Sequence, residues 1–332
     1  MRGFVSGSRA LVVGLLMLFF TSCENDVDIT AEWKEVIAVY GLLDPLQESQ
    51  YIKVNKAFLN EDGSAYKVAQ VPDSLFLDSA NVTLTRLNTG QRISLFRVDE
   101  VTKDSGTFSS AVNYLYRTDE KIFENEPYRL EVNSPRSGMT AQSSIWTLGS
   151  TRIEAPFKTS NPVFSLASRF IFVQYMPGSN AHAYDIKMKA EIEEYTKDTV
   201  FLRKKDLTWN MITNYRVDPR FPNRVLHQVE REAFMQFLAS SLDSSLPVIR
   251  NLKSVSIEYY AGGESLVDYI SVNEPSIGIV QKIADYSNVT GGTGLFGSRC
   301  QQGIYNVPIE PATIGFLASR PVTMGLNFVR LP

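Results

Sequence analysis

The chain has 332 residues, with 33 basic and 36 acidic side chains and a formal net charge of -3. This length allows two domains, and the mild acidity argues against a nucleic-acid surface, which needs a clustered positive field. Two cysteines exclude a disulfide scaffold and a structural zinc site. A hydrophobic content of 44% is ordinary for a globular fold.

Residues 1–22 have the pattern of a lipoprotein signal peptide. Arg2 and Arg9 supply a positive n-region, and residues 11–20 form an apolar run. The run is too short to span a bilayer as a helix, because spanning takes roughly 20 apolar residues. Its length is typical of the h-region of a secretory signal.

The sequence Phe20-Thr21-Ser22-Cys23 resembles a bacterial lipobox, with small residues just before a cysteine. We therefore expect Cys23 to be the first mature residue and the site of lipid attachment. The alternative is an ordinary signal peptide followed by a chance cysteine. A doubly acylated cysteine is sufficient for stable membrane anchoring.

Residues 23–30 are predicted to form a flexible tether. Glu24, Asp26 and Asp28 lie directly behind the anchor, and removal of two arginines with the signal leaves 31 basic against 36 acidic residues, a net charge of -5. A similar acidic tract directs lipoproteins of the Bacteroidota to the outer cell surface, and this resemblance implies surface exposure. A merely solvated tether is the alternative.

Residues 31–150 have the period-two pattern of an all-β domain. Seven short strands with regularly spaced turns predict an Ig-like β-sandwich, and a hairpin turn at Gly90 is the clearest of these turns. No Cys-Trp-Cys core is present, so a true immunoglobulin domain is not expected. The predicted strands are residues 36–43, 51–58, 81–87, 91–98, 111–117, 128–132 and 140–146.

Residues 151–162 are predicted to be a linker, and residues 163–332 a larger antiparallel β domain. Residues 184–192 alternate between apolar and charged side chains, which is typical of a strand with one solvated face. One helix is expected at residues 230–242, where the apolar side chains follow a single stripe. A second helix is expected to begin at Ser265, and a final strand at residues 322–331.

A glycine-rich segment near the end of the chain contains the pattern G-x-G-x-x-G at residues 292–297. A dinucleotide site needs a buried strand before this pattern and a helix after it, and neither flank fits. We predict an Ω-like loop held by aromatic side chains, with a structural or ligand-binding role. The candidate residues are Tyr286, Asn288, Gly291, Gly292, Gly294, Phe296 and Gly297.

The segment Asn288-Val289-Thr290-Gly291-Gly292-Thr293-Gly294-Leu295-Phe296-Gly297 resembles the Asn-x-x-Gly-Gly-x-Gly-x-Phe-Gly signature of a large Bacteroidota lipoprotein family, domain of unknown function 4249. The lipobox, the first strand and the strand at residues 127–132 agree in order with that family. Its members commonly accompany TonB-dependent outer-membrane receptors. The resemblance implies a cell-envelope accessory role and supplies no catalytic residues.

No catalytic or metal-binding pattern stands out. The histidines, His182 and His227, have no motif around them, and Cys300 is expected to be a plain buried thiol. We therefore expect a non-catalytic binding or assembly lipoprotein of the outer membrane, at the cell surface, without a cofactor, a metal or nucleic acid. Two alternatives are a surface hydrolase acting on polysaccharide or peptide and a structural or adhesive module.

Overall fold

The computed structural model describes residues 36–57, 77, 79–99, 114–157, 161–218, 220, 223–273 and 286–331. Within these ranges the chain forms fourteen β-strands, three α-helices and one 3₁₀ helix, so it is mainly β, as predicted. The predicted signal peptide, the tether and Cys23 lie outside the described residues.

The N-terminal lobe is a two-layered β-sandwich, and all seven of its predicted strands are found. Strand β4 pairs with β3 over most of its length and with β5 at residues 96–98, so it connects the two layers. Apolar side chains from both layers, such as Ile52 and Leu84, meet in one core. The strands are β1 Val36–Leu43, β2 Gln50–Ala57, β3 Asn81–Arg86, β4 Gln91–Val98, β5 Leu115–Thr118, β6 Pro127–Asn133 and β7 Thr140–Trp146.

The C-terminal lobe consists of a large sheet with smaller elements on both of its faces. Strand β10 alternates between buried and half-exposed side chains, as its sequence predicts. The large sheet has the order β11-β10-β13-β14, and a separate three-stranded sheet has the order β12-β9-β8. The strands are β8 Arg152–Ala155, β9 Phe170–Met176, β10 Ala183–Tyr195, β11 Phe201–Arg216, β12 Val225–Glu230, β13 Ile249–Gly262 and β14 Gly292–Pro308.

The helices lie on opposite faces of this large sheet. Helix α1, Arg231–Ser241, and helix α3, Pro311–Ser319, pack with the small sheet over the inner face and complete the C-terminal core. Phe234 and Leu238 of α1 are fully buried there, on the apolar stripe that predicted this helix. Helix α2, Glu264–Asn273, covers the outer face near β14 and matches the second predicted helix.

Strand β14 belongs to both lobes. Its first half, from Gly292 to Ser298, pairs in parallel with β1, and its second half pairs antiparallel with β13. All the large strands thereby join into one eleven-stranded sheet. Phe296 accordingly lies in the N-terminal core and Cys300 in the C-terminal core. The expected division at residues 151–162 therefore needs correction, because a late segment of the chain completes the first lobe.

The predicted linker also contains a strand. Strand β8 pairs with β9 inside the stretch assigned to the linker, and Ile153 packs against the C-terminal core. Residues 158–160 lie outside the described residues. Strands β9 and β12, like helix α3, had no prediction of their own.

The predicted final strand at residues 322–331 is wrong. A 3₁₀ helix, Met324–Leu326, occupies its middle, and Asn327 follows it in the left-handed conformation with φ of 57°. A left-handed residue interrupts an extended strand. A single isolated bridge, from Arg250 to Phe328, replaces strand pairing with β13, and Nη1 of Arg250 also donates to the carbonyl oxygen of Leu326 at 2.9 Å.

Candidate functional site

The predicted glycine-rich loop is mostly a β-strand, so the expectation of an Ω-like loop is wrong. Gly292, Gly294 and Gly297 lie on β14, with Gly294 opposite Val39 of β1. Glycines give no apolar alternation, and the sequence pattern therefore concealed a strand that is held by backbone pairing.

Two of these glycines allow the backbones of β14 and β1 to approach closely. Gly294 has φ of 113°, and a Cβ atom there would overlap the carbonyl oxygen of Val39. A Cβ atom on Gly292 would lie 2.5 Å from the carbonyl oxygen of Ile37. Both obstacles are backbone atoms, so no side-chain rotation relieves them. Gly291 just before the strand has φ of 74° and faces the carbonyl oxygen of Thr140 in the same way.

Asn288 ties the start of this segment to its own later residues. Its Nδ2 donates to the carbonyl oxygen of Phe296 at 2.6 Å and to Oγ of Ser265 at 3.1 Å, and its Oδ1 accepts from the backbone nitrogen of Phe296 at 2.9 Å. Ser143 Oγ of β7 donates to the carbonyl oxygen of Asn288 at 2.7 Å. Both ends of the amide are therefore used inside the protein.

The remaining candidate residues, Phe296, Gly297 and Tyr286, also make structural contacts. Phe296 is fully buried, and Gly297 lies against Leu42 of β1. The ring of Tyr286 meets the ring of Tyr269 on α2 edge to face, with 6.2 Å between centroids. We call residues 288–297 the glycine latch. The close packing of this segment against β1 explains why glycines occupy the G-x-G-x-x-G pattern.

The junction cleft opens beside the glycine latch, on the outer face of the large sheet. It has a volume of about 390 Å³, within the usual range for small-molecule sites. Helix α2 forms one wall and the ring of Tyr260 lies on the other side. Sequence reasoning missed this cleft because its lining comes from β1, β10, β11, β13, β14 and α2. It is lined among others by Leu42, Ala183, Arg216, Tyr260, Gly262, Leu266, Ile270 and Arg299.

Two further groups at the cleft are protonated at neutral pH. The Tyr260 hydroxyl donates to Oε2 of Glu258 at 2.5 Å, and burial together with this carboxylate raises the pKa of the phenol. Cys300 is 2% exposed, and burial raises the pKa of its thiol to about 12. A protonated, buried thiol is a poor nucleophile.

The histidines lie apart from the junction cleft. His182 lines a small pocket of about 160 Å³ together with Ser144, Ser265 and Ser298. Ser298 Oγ donates to the carbonyl oxygen of Leu43 at 2.9 Å, and Ser265 Oγ accepts from Asn288, so these two hydroxyls have structural partners.

His227 lies on β12 of the small sheet, in an aromatic cluster with Tyr175 of β9 and Tyr215 of β11. Its ring meets that of Tyr215 edge to face at 4.5 Å between centroids, and burial lowers its pKa. Nε2 of His227 is buried without a hydrogen-bond partner among the described residues. A low pKa keeps such an imidazole neutral.

The described ranges contain neither a cluster of metal-binding side chains nor a membrane-spanning helix. No group of three or more His, Cys, Asp or Glu side chains is placed there to hold a metal ion. No helix among the described residues has the length and apolar character needed to cross a membrane.

These elements define a mainly β protein with a sandwich lobe and a larger antiparallel lobe.

No family model matches the chain, and no curated protein matches it. Among solved structures, the chain is similar to the crystal structure of the chicken CNTN1 FN1-FN3 domains, with 10% sequence identity and a TM-score of 0.19. The match covers 82% of this chain and 64% of that chain, less than two thirds of its length.

Proposed function

We propose that the protein is a lipid-anchored lipoprotein of the outer membrane that acts as a non-catalytic binding or assembly accessory. The observation that carries the binding role is the junction cleft, a concave, largely apolar site with a few polar groups. Such clefts are the default candidates for ligand binding. The sequence pattern at Cys23 supports the anchor.

The framework around the cleft suits a binding module. One continuous sheet runs through both lobes, and the glycine latch fixes β14 against β1 directly beside the cleft. Sites built on rigid strands and helices hold their geometry better than sites on loops. A ligand in the cleft therefore contacts groups that need little rearrangement.

The anchor is tested by Cys23→Ala in the full chain. We expect the wild-type protein in the outer-membrane fraction and the variant in the soluble fraction, with both digested to the same stable fragments by a protease. A variant that stays in the membrane fraction would contradict anchoring through Cys23. Protease treatment of intact cells then distinguishes surface exposure from the periplasmic face.

The family resemblance at the glycine latch favours a TonB-dependent outer-membrane receptor as the partner. Co-purification of a tagged chain from gently solubilised outer membranes tests this proposal. We expect a receptor to be recovered with the wild-type chain. Recovery of the tagged chain alone, under conditions that preserve other envelope complexes, would count against the accessory role.

A surface hydrolase remains the second candidate, because His182 shares a pocket with three serines. In an active hydrolase, a general base within hydrogen-bond reach of one of these hydroxyls would activate it. His182→Ala should then abolish release of labelled fragments from polysaccharide or peptide, while His227→Ala should not. The third candidate is a purely structural or adhesive module. A concave cleft is not needed for such a role, so its presence favours the first two candidates.

A further inference from the structure

Two arginines stand at the ends of one row of residues across the large sheet. Arg216 of β11 is opposite Ala183 of β10, which is opposite Gly262 of β13, which is opposite Arg299 of β14. Residues directly opposite each other on neighbouring strands share a face of the sheet. The four residues therefore lie side by side on the outer face, where the junction cleft opens.

The small residues in the middle of this row create the floor of the cleft. Ala183 and Gly262 carry no long side chain, and three strand spacings of about 4.8 Å separate the two arginine positions. Helix α2 closes one side with Leu266 and Ile270, and Ile270 is 44% exposed. A Cβ atom on Gly262 would lie 3.4 Å from Leu266 and 3.5 Å from Val267, so α2 covers this end of the row and the remaining space is bordered by apolar side chains.

The two arginines differ in their existing partners. Nε of Arg299 lies 3.8 Å from Oδ2 of Asp44, a buried carboxylate whose pKa is raised by burial, so Arg299 already compensates a charge. Nη2 of Arg216 donates to the neutral Oγ of Ser271 at 2.8 Å. No carboxylate among the described residues lies within ion-pair distance of Arg216.

Asp185, the one acid of the cleft lining among the described residues, is also engaged. Asp185 Oδ1 accepts a hydrogen bond from the backbone nitrogen of Asn214 at 2.7 Å. Among the described residues, the charged groups of the lining are therefore two arginines and one aspartate, and Arg299 is already paired with Asp44. Arg216 is the group best placed to receive an anion, since a guanidinium binds carboxylates and phosphates through charge-assisted hydrogen bonds.

We propose that the junction cleft binds a small molecule with an apolar body and a single anionic group, with the anion at Arg216. The apolar body lies on Ala183 and Gly262, between Leu266 and the ring of Tyr260. A volume of about 390 Å³ fits an aryl or medium-chain carboxylate. This inference names the ligand class for the site in the proposed function and rests on its binding role.

The test uses the full chain in lipid nanodiscs and isothermal titration with two probes of equal size. These are 2-naphthoate, which has a carboxylate, and 2-naphthylmethanol, which has none. We expect the wild-type chain to bind 2-naphthoate at least about tenfold more tightly, because a charge-assisted hydrogen bond is lost with the alcohol. Empty nanodiscs supply the blank for partitioning into lipid.

Variants of exposed arginines separate the site from general charge. Arg216→Gln should weaken 2-naphthoate binding about tenfold and leave 2-naphthylmethanol unchanged, by the same loss of a charged donor. Arg169→Gln, a highly exposed arginine paired with Glu230 elsewhere on the surface, should change neither. Arg299 is a poor test position because its removal leaves Asp44 uncompensated. Ala183→Leu, which fills the floor, should weaken both probes.

Equal affinity for the two probes, full 2-naphthoate binding by Arg216→Gln, or absence of heat above the blank would each overturn the inference. These outcomes are separate from those of the proposed envelope role. If 2-naphthoate binding depends on Arg216 but no receptor co-purifies, the result supports the proposed ligand class and contradicts the accessory role. If a receptor co-purifies but the cleft binds neither probe, the result supports the accessory role and contradicts the proposed ligand class.

Discussion

Replacement of Gly294 by alanine should loosen the attachment between the two lobes. The backbone at Gly294 has φ of 113°, and an added Cβ atom would overlap the carbonyl oxygen of Val39. The unfavourable backbone conformation costs about 1–2 kcal/mol. The overlap adds to this because both colliding groups are backbone, so β14 must move away from β1.

The magnitude of this effect follows from what β14 holds in place. Phe296 is fully buried in the N-terminal core, and its burial contributes about 1.5–3 kcal/mol. We therefore expect Gly294→Ala to lower the free energy of unfolding by at least about 3 kcal/mol, out of the 5–15 kcal/mol typical of a native protein.

Three other glycines serve as matched controls. Gly90 has φ of 72° and open space around it, so Gly90→Ala reports the conformational cost alone, about 1 kcal/mol. Gly315 lies within α3 with open space and no positive φ, so Gly315→Ala should raise stability by up to about 1 kcal/mol. Gly292→Ala, which meets the carbonyl oxygen of Ile37, reports the collision without a positive φ.

The assay is urea unfolding of the full chain in detergent, followed by circular dichroism and tyrosine fluorescence. We expect the midpoints to fall in the order Gly315→Ala, wild type, Gly90→Ala and Gly294→Ala, with Gly292→Ala clearly below wild type. If Gly294→Ala unfolds at the same midpoint as Gly90→Ala, the close backbone approach is not important for stability and our explanation of the glycine motif is wrong.

Three further predictions concern buried residues. Phe296→Ala should cost about 3–5 kcal/mol in the same assay, and a smaller loss than an exposed-phenylalanine variant would contradict its place in the core. Burial raises the pKa of Glu194, but hydrogen bonds from Arg203 and Arg250 outweigh it and lower the pKa below the ordinary 4.5. Stability from this group is therefore present above pH 4.5 and is lost as the pH falls through the lowered pKa, so the urea midpoint of wild type should drop more steeply between pH 5 and 3 than that of Glu194→Gln. Cys300, with a pKa of about 12, should resist iodoacetamide at pH 8 until urea unfolds the C-terminal lobe, and rapid labelling of the folded chain would contradict its burial.

Strands with apolar alternation were predictable from the sequence. Residues 140–146 and 91–98 have the bounds that the pattern indicated, and the hairpin between β3 and β4 turns at Gly90. The stripe of Phe234 and Leu238 likewise predicted α1. In these elements, burial of one face determines the local structure, and the sequence records that face directly.

Elements held by other means were not predictable in this way. The first half of β14 depends on backbone pairing between glycines and β1, and a segment with few side chains shows no period. The prediction of a final strand at residues 322–331 failed for the opposite reason. Apolar alternation is present there, but Asn327 in the left-handed conformation interrupts the extended backbone. The junction cleft depends on the register of four strands, which places Arg216 and Arg299 in one row although 83 positions separate them (299 − 216).

The order in which the chain is made adds a consequence to the shared strand. Residues 292–298 pair with residues 37–43, so β1 acquires its second neighbour only after about 250 further residues have been synthesised (292 − 43 = 249). The sandwich lobe thus acquires its full sheet only after residues 292–298 have emerged. Pairings this distant in sequence form slowly. In an exported lipoprotein of the kind proposed above, such a delay would keep the N-terminal part unfolded until translocation is nearly complete.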